Sequence, residues 1–160
     1  MNVPFTIRAA CPGDEDLILA LLTELAEYEK LTDKFKITRE IIARDFLGED
    51  AALHIDLLHE GSEPAGIIAW YFTYTSFAAA RGIFLEDLFV RPQFRGRGYG
   101  KALLAHLAQR AAQTGAVRIE WSVLDWNKPS IDFYQSLGAR RPEGWFNFRL
   151  DGEALLRLGA

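Results

Sequence analysis

Hydrophobic and polar positions along the chain follow two different spacings, and each spacing predicts one type of element. Residues 5–9 alternate between apolar and polar side chains, which is typical of a strand. Residues 17–28 instead carry leucine and tyrosine at intervals of three or four, which predicts an amphipathic helix after Pro12-Gly13-Asp14. A second, short helix is expected after Thr38, where isoleucine and phenylalanine recur.

Three strands are predicted in the middle of the chain, at residues 52–59, 65–75 and 82–90. The turn signal Gly61-Ser62-Glu63-Pro64 separates the first two strands. The alanine-rich segment 78–82 separates the second strand from the third.

The C-terminal part of the chain predicts two more helices with strands between and after them. A helix is expected at residues 98–113, with Gly115 as its left-handed cap. A strand at 117–124 and a helix at 127–138 follow. One or two strands are expected within 140–150, and a short helix after them.

The composition supports one globular domain over residues 1–160. The 160 residues are 49% hydrophobic and 25% charged, which is enough apolar material for a single core. The element order, β-α-α-β-β-β-α-β-α-β-β, indicates a mixed-sheet α/β or α+β fold. The net charge of −4 argues against nucleic acid as the main partner.

Cysteine and histidine usage sets further expectations. Cys11 is the one cysteine of the chain and forms no internal disulfide, which favours a reducing, cytoplasmic location. The sequence has no apolar leader and no run as long as a membrane span, so we expect no membrane partner. His54, His59 and His106 lack metal-ligand spacing, so we expect no metal.

A glycine-rich, basic loop joins a predicted strand to a predicted helix, with the sequence Arg95-Gly96-Arg97-Gly98-Tyr99-Gly100-Lys101. The first turn of a helix leaves N–H groups without intrahelical partners and carries the positive end of the helix dipole. Glycines let a ligand approach the backbone closely. These features predict a pyrophosphate site, with the side chains of Arg95, Arg97 and Lys101 adding positive charge.

The spacing of the glycines in this loop differs from that of two common nucleotide-binding motifs. A P-loop is excluded because Gly96 lies four residues before Gly100 instead of five, and because Ala102 replaces the hydroxyl residue that would bind Mg²⁺. The dinucleotide motif G-x-G-x-x-G fails because this loop has G-x-G-x-G. A solvated loop whose glycines only turn the chain remains an alternative.

Asn127 and Tyr134 form a second candidate constellation. Asn127 is a good helix N-cap, and Tyr134 lies seven residues on, two turns along the same face. Both side chains can therefore address one ligand that lies along the helix. The alternative is an ordinary cap followed by a half-buried tyrosine.

The pattern R-x-x-G-x-G, here Arg95-x-x-Gly98-x-Gly100, resembles the acyl-CoA-binding signature of the GNAT family of N-acetyltransferases. Further segments resemble its spermidine/spermine and thialysine acetyltransferase branch: "LAEYEKL" at 25–31, "FTY" at 72–74, "FLEDLFVRPQFRGRGYG" at 84–100, "LDWNKPSIDFYQSLGA" at 124–139 and "GW" at 144–145. This resemblance implies a GNAT fold, with a central, mostly antiparallel sheet of six to seven strands and about four helices. It also implies acetyl-CoA as cofactor, CoA as product, and a homodimer.

The resemblance further implies the residues that bind the cofactor and act in catalysis. Cofactor contacts are implied for Leu88, Phe89, Val90, Arg95, Gly96, Arg97, Gly98, Tyr99, Gly100, Lys101, Asn127 and Tyr134. Tyr134 would be the general acid that protonates the departing thiolate. A backbone N–H around Leu88 would stabilise the developing oxyanion.

Acetyl transfer needs a neutral amine, and Glu86 is the candidate that removes the amine proton. Strict alternation along the strand would place Glu86 and Asp87 on opposite faces. The alternative is that these acids form salt bridges near a sheet end. The sequence leaves open which of the two handles the proton.

The acceptor is predicted to be the primary amine of a small cationic molecule that attacks the thioester directly. Substrate-binding candidates are Tyr28, Glu29, Glu86, Asp87 and Trp145, because aromatic faces and acids suit a cation. Trp70 and Tyr74 are either further pocket residues or ordinary core aromatics.

The residues after "FTY" bear on which amine is used. Polyamine-acetylating relatives carry an acid there, whereas Thr75-Ser76 follows here, which favours a thialysine- or lysine-like amino acid over a di- or polyamine. The alternative functions are acetylation of a protein lysine or N-terminus, and a module that binds acyl-CoA without turnover.

Overall fold

The first part of the chain is built on a five-stranded sheet in the order β1-β2-β3-β4-β5. The structure is a computed structural model that describes residues 3–160. The strands are β1 (Phe5–Ala9), β2 (His54–Glu60), β3 (Glu63–Thr75), β4 (Ala80–Val90) and β5 (Ile119–Glu120). The pairs from β1 to β4 are antiparallel, and β5 runs parallel to β4.

Three helical segments belong to this first part of the chain. They are α1 (Glu15–Tyr28), α2 (Arg39–Ile41), which continues as a π-helical turn at Ile42–Phe46, and α3 (Tyr99–Thr114). Short 3₁₀ turns lie at Thr32–Lys34 and Pro92–Phe94. Thr38 caps α2, because its side-chain oxygen accepts a 3.3 Å hydrogen bond from the Ile41 N–H.

The core lies between α1 and one face of the sheet. The apolar stripe of α1 and Ile42 meet buried side chains from three strands, and the cluster consists of Ile18, Leu21, Leu22, Leu25, Ile42, Ile55, Leu57, Ile67, Ala69 and Phe89. The predicted stripe of α3 is also buried, with Leu103 and Leu107 fully covered. Burial of these side chains is the main favourable term that holds the helices to the sheet.

The chain divides into two compact units, the first ending at Ser122 and the second consisting of Val123–Ala160. The second unit contains α4 (Lys128–Ser136) and α5 (Gly152–Leu158). Gly138 follows α4 with φ of 90°, in the left-handed region that ends many helices. None of the helices within residues 3–160 is long and apolar enough to cross a membrane.

Most predicted elements are confirmed, and two strand predictions are wrong. The strand expected at 117–124 is reduced to Ile119–Glu120, and residues 140–150 contain no strand. The described sheet therefore has five strands instead of six or seven, and the described chain has five α-helical segments instead of about four. A strand also needs a neighbouring strand for its hydrogen bonds, and an alternating pattern alone does not supply one.

Candidate active site

A β-bulge on β4 determines how the candidate acids Glu86 and Asp87 are placed. Trp70 of β3 pairs with Leu85, and the preceding Ala69 pairs with Asp87, so Glu86 is an extra residue without its own partner. The prediction that Glu86 and Asp87 lie on opposite faces is therefore wrong, because an inserted residue interrupts the alternation. Asp87 shares the face of Ala69, which belongs to the core beneath α1.

The same bulge reverses the direction of the backbone N–H groups along β4. The N–H of Arg91 donates to the Ala65 carbonyl of β3 at 2.9 Å. Successive N–H groups of a strand point to opposite edges, so the N–H of Leu88 points away from β3. Before the bulge, the N–H of Ile83 donates to the Arg118 carbonyl on the other side, at 2.9 Å. Without the extra residue, Leu88 would donate toward β3.

The edge of β4 toward which the Leu88 N–H points is open in the described part of the chain. The short strand β5 pairs with β4 only at Ile83 and Phe84. The edge from Leu85 to Val90 therefore has no paired strand beside it within residues 3–160. An extended ligand with its own carbonyl groups could accept hydrogen bonds at this edge, as an added strand would.

Three carboxylates lie near one another on the α1 side of the sheet. The pKa of Asp87 is raised to about 7, first by burial and then by the negative charges of Glu86 and Glu29. Burial also raises the pKa of Glu29, which follows the last residue of α1. Glu86 is exposed, and after burial its charge is the second cause of a raised pKa at Tyr71. This acidic cluster can attract a cationic amine and accept a proton near neutral pH.

Two glycines of the loop before α3 have a left-handed backbone conformation. Gly96 and Gly98 have φ of 77° and 82°, a region that favours glycine. The N–H of Ala102 makes the first bond of α3, to the Gly98 carbonyl at 2.9 Å. The N–H groups of residues 99–101 thus precede the intrahelical pattern. A Cβ at Gly96 or Gly98 would meet no atom within 4 Å, so the loop surface is open to a ligand.

Arg95 connects the predicted cofactor loop to the predicted acceptor residue Tyr28. Its guanidinium carbon lies 5.0 Å from the centre of the Tyr28 ring and 5.7 Å from that of Phe89. Its Nε also donates to the Val90 carbonyl at 3.0 Å. The structure therefore brings these residues from two predicted groups together at the end of α1.

Arg97 and Tyr99 have a partner that the sequence did not predict, the carboxylate of Glu60. Arg97 Nη1 lies 2.6 and 2.7 Å from the two Glu60 oxygens, and the Tyr99 hydroxyl donates to the same carboxylate. The side chain of Tyr99 is buried and packs on Phe5, with ring centres 5.4 Å apart. A cofactor contact by Tyr99 would therefore come from its backbone. Lys101 is exposed at the start of α3.

Trp70 is a core residue, whereas Tyr74 is exposed. The indole of Trp70 is only 4% exposed, donates from Nε1 to Oδ2 of Asp56 at 2.9 Å, and stacks on His54 with centres 4.5 Å apart. Tyr74 lies near the C-terminal end of β3, with 68% of its surface exposed. For Trp70, this geometry supports a core role over a pocket role.

The second unit holds the remaining predicted site residues. Asn127 is buried and caps α4, because its side-chain oxygen accepts a bond from the Ser130 N–H at 3.4 Å. Tyr134 is half-buried on the same helix, with its ring centre 5.5 Å from that of Phe133. Trp145 is 78% exposed in an irregular segment between α4 and α5.

The chain is similar to known proteins in both sequence and fold. The acetyltransferase (GNAT) family matches residues 18–139. A thialysine N-epsilon-acetyltransferase of Sus scrofa is 40% identical over 163 aligned residues, covering 95% of each chain. A protein of the same description from Caenorhabditis elegans is 37% identical, covering 94% of each chain.

Solved structures show the same fold. An integron cassette protein from the mobile metagenome of V. cholerae superposes with a TM-score of 0.81 at 23% identity, covering 99% of this chain and 98% of the other. The chain belongs to the GNAT family and is an N-acetyltransferase. GNAT acetyltransferases use acetyl-CoA, and the open glycine loop before α3 fits the pyrophosphate of such a cofactor.

Proposed function

We propose that the protein transfers the acetyl group of acetyl-CoA to the side-chain amine of a thialysine- or lysine-like amino acid. The observation that carries this proposal is the acidic cluster of Glu29, Glu86 and Asp87 beside an open strand edge. The relatives described above as thialysine N-epsilon-acetyltransferases support the same acceptor class. The missing acid after "FTY", where Thr75 stands, argues against a polyamine.

The acidic cluster answers the first chemical demand of the reaction, which is a neutral amine. An alkyl ammonium with a pKa of about 10.4 leaves roughly one molecule in 2,500 neutral at pH 7. A carboxylate whose pKa is raised to about 7 accepts a proton more readily than an ordinary aspartate, which supports Asp87 as the proton acceptor. Glu86, the exposed extra residue of the bulge, holds the ammonium. The ammonium proton then moves to Asp87, directly or through water.

Backbone groups of β4 and of the loop answer the second demand, which is binding and polarising the acetyl donor. The Leu88 N–H, aimed at the open edge, would stabilise the charge that develops on the acetyl oxygen. Val90, two residues on, points its N–H to the same edge and would hold the pantetheine arm. The N–H groups of residues 99–101 and the Lys101 side chain would hold the pyrophosphate.

Tyr134 meets the third demand, a proton for the departing thiolate. This assignment rests on the resemblance of "LDWNKPSIDFYQSLGA" to the family, in which a tyrosine on this helix is the general acid. Asn127, at the start of the same helix, is the cofactor contact that the resemblance implies. A phenol is a suitable acid for a thiolate, because its proton is available across the neutral range.

Three further features of the proposal come from the sequence and the family resemblance. Tyr28 and Trp145 are candidate acceptor-binding residues because they match the branch motifs and because aromatic faces stabilise a cation. A homodimer is the oligomeric state of the family branch. A cytoplasmic location suits a chain with the single cysteine Cys11.

The experiment that tests the acceptor is CoA release from acetyl-CoA with a panel of amines. The panel contains thialysine, lysine, ornithine, putrescine, spermidine and a lysine-containing peptide. We expect saturable turnover with the highest kcat/KM for the amino acids. A higher kcat/KM for spermidine would contradict the acceptor class, and a higher value for the peptide would favour a protein acceptor.

A further inference from the structure

The carboxylate of Glu60 ties the glycine loop to the sheet from two sides. Glu60 is the last residue of β2, distant in sequence from the loop. Its oxygens receive Arg97 Nη1 at 2.6 and 2.7 Å, before Gly98, and the Tyr99 hydroxyl, after it. One carboxylate therefore fixes the chain on both sides of the glycine that opens α3.

The Glu60 side chain is largely buried, and the Arg97 guanidinium contacts further groups of the protein. The Glu60 side chain is only 12% exposed, against 45% for that of Arg97. Arg97 Nη2 also donates to the Gln93 carbonyl at 3.3 Å, and its guanidinium carbon lies 5.4 Å from the centre of the Phe94 ring. The guanidinium thus has a carboxylate, a carbonyl and an aromatic face as neighbours within the protein.

We propose that Glu60 is a positioning residue for acetyl-CoA, which acts through Arg97 and Tyr99 to hold the glycine loop in its binding conformation. Arg97 is then a brace of the loop and not a ligand of a cofactor phosphate. This inference rests on the proposed function, in which the loop binds the pyrophosphate of CoA.

Glu60 would strengthen CoA binding because it limits the conformational freedom of the loop. Gly96 and Gly98 populate both signs of φ, so an untied loop would sample many conformations and lose entropy on binding. A binding site that is preorganised avoids this cost. A negative carboxylate beside a phosphate site would repel the ligand, but Arg97 and the Tyr99 hydroxyl neutralise and cover Glu60. Contact with Tyr99 and Arg97 also lowers the pKa of Glu60, so the brace is present at neutral pH.

The two candidate roles of Arg97 predict opposite effects of removing Glu60. If Arg97 is a brace, Glu60→Gln and Arg97→Gln each weaken CoA binding by roughly tenfold, and the double variant is no worse than either. If Arg97 binds a phosphate, Glu60→Gln frees the guanidinium and leaves binding unchanged or tighter. Arg97→Gln alone would then weaken binding.

Calorimetric titration with CoA and with 3′-dephospho-CoA measures these effects on the full chain. As a brace, Glu60 changes the affinity for both ligands by the same factor. In turnover, the KM for acetyl-CoA rises while kcat stays within about twofold, because a positioning residue does not touch the reacting atoms. Loss of affinity for CoA alone in Arg97→Gln would overturn the inference and assign Arg97 to the 3′-phosphate.

Two controls keep the outcomes distinct. Arg157→Gln breaks an exposed arginine–glutamate pair outside the loop, with Glu153 at 3.3 Å, and should leave CoA binding unchanged. Tyr99→Phe removes one hydroxyl from the brace and should weaken CoA binding slightly. This variant takes the place of Glu60→Gln if thermal melting shows that the Glu60→Gln chain is unfolded.

Gly98→Val separates this inference from the proposed function. Valine strains the left-handed backbone at Gly98 and should abolish CoA binding if the loop is the cradle. Lost binding in Gly98→Val together with normal binding in Glu60→Gln overturns only the brace. Normal binding in all variants overturns both the brace and the cradle.

Discussion

Glu86 and Asp87 are neighbours in the chain, and on the α1 side of the sheet the pKa of Asp87 is raised first by burial and then by the charge of Glu86. A regular strand would separate these carboxylates across the sheet. The bulge opposite Ala69 keeps them together, and Glu29 adds a third negative charge from the end of α1. The structure thus concentrates negative charge where a cationic amine would need it.

The first prediction concerns the pH dependence of turnover. Glu86→Gln removes a negative charge that raises the pKa of Asp87, so this pKa should fall below about 7. The acidic limb of kcat/KM should then move to lower pH, while the maximal value falls because an ammonium contact is lost. A pH–rate profile and a ¹³C NMR titration of the aspartate carboxyls measure both effects. Glu63→Gln, at the exposed start of β3, is the control. An Asp87 that titrates unchanged would contradict the cluster.

The second prediction concerns stability. The pKa of Asp87 rises from its ordinary value of 3.8 to about 7 in the folded chain, so the folded state binds more protons than the unfolded state between these values. The contribution of Asp87 to stability should therefore fall as the pH rises from 4 to 7. Asp87→Asn removes this loss. At pH 8 the free energy of unfolding of the variant should exceed that of the parent chain by at most about 4 kcal/mol.

Urea unfolding at pH 4 and pH 8 checks this prediction. The Asp87→Asn variant should match the parent at pH 4 and exceed it at pH 8. Asp50→Asn, at an exposed position, retains Asp87 and should follow the pH dependence of the parent chain. A parent chain that is as stable at pH 8 as its Asp87→Asn variant would show that the buried carboxylate has no cost.

The elements near the site were predictable because their signals are local. The leucine stripe of α1, the glycine cap at the end of α3 and the apolar runs of β3 and β4 are each encoded by residues close together in the sequence. Gly115 takes the predicted left-handed backbone conformation at the end of α3, and Gly98 takes the same conformation at its start. These features depend on backbone geometry that only a few residue types tolerate.

The features that the sequence did not predict depend on contacts between distant residues. The bulge at Glu86 is a matter of register between two strands, and an alternating pattern does not show an inserted residue. Glu60 is 37 positions from Arg97, and nothing near either residue marks them as partners. The absent strand at 140–150 had the right pattern, but pairing is not determined by pattern alone.

The third prediction tests whether Trp70 has a structural role in the core or a binding role in the acceptor pocket. Trp70→Phe removes the donor to Asp56, a residue that is only 3% exposed. The loss of this buried bond should lower the free energy of unfolding by about 1–3 kcal/mol. The KM for the acceptor should stay unchanged, as judged from steady-state kinetics. Trp126→Phe, at a half-exposed position, should cost less stability. A raised KM for the acceptor without a loss of stability would contradict the core role and indicate that Trp70 binds the acceptor.

The fourth prediction tests the general acid. Tyr134→Phe should lower kcat by about 100-fold or more, because the departing thiolate loses its proton donor. The affinity for CoA should be kept, since the aromatic ring remains. Stopped-time assays and calorimetric titration measure the two quantities. Tyr74→Phe makes the same chemical change at an exposed position and serves as the control. Unchanged turnover in Tyr134→Phe would refute the assignment.

The fifth prediction tests the acceptor preference at the end of β3. Thr75 pairs with Ala80, where β3 meets β4, and occupies the position at which polyamine-acetylating relatives carry an acid. Thr75→Asp should raise kcat/KM for spermidine relative to lysine by about five- to tenfold, because a partly screened charge pair contributes about 1 kcal/mol. The gain should shrink as the salt concentration rises, since exposed charges are screened. Thr75→Asn has nearly the same shape without the charge. An equal shift in Thr75→Asn would assign the preference to shape, and no shift in Thr75→Asp would mean that the distal end of the acceptor lies elsewhere.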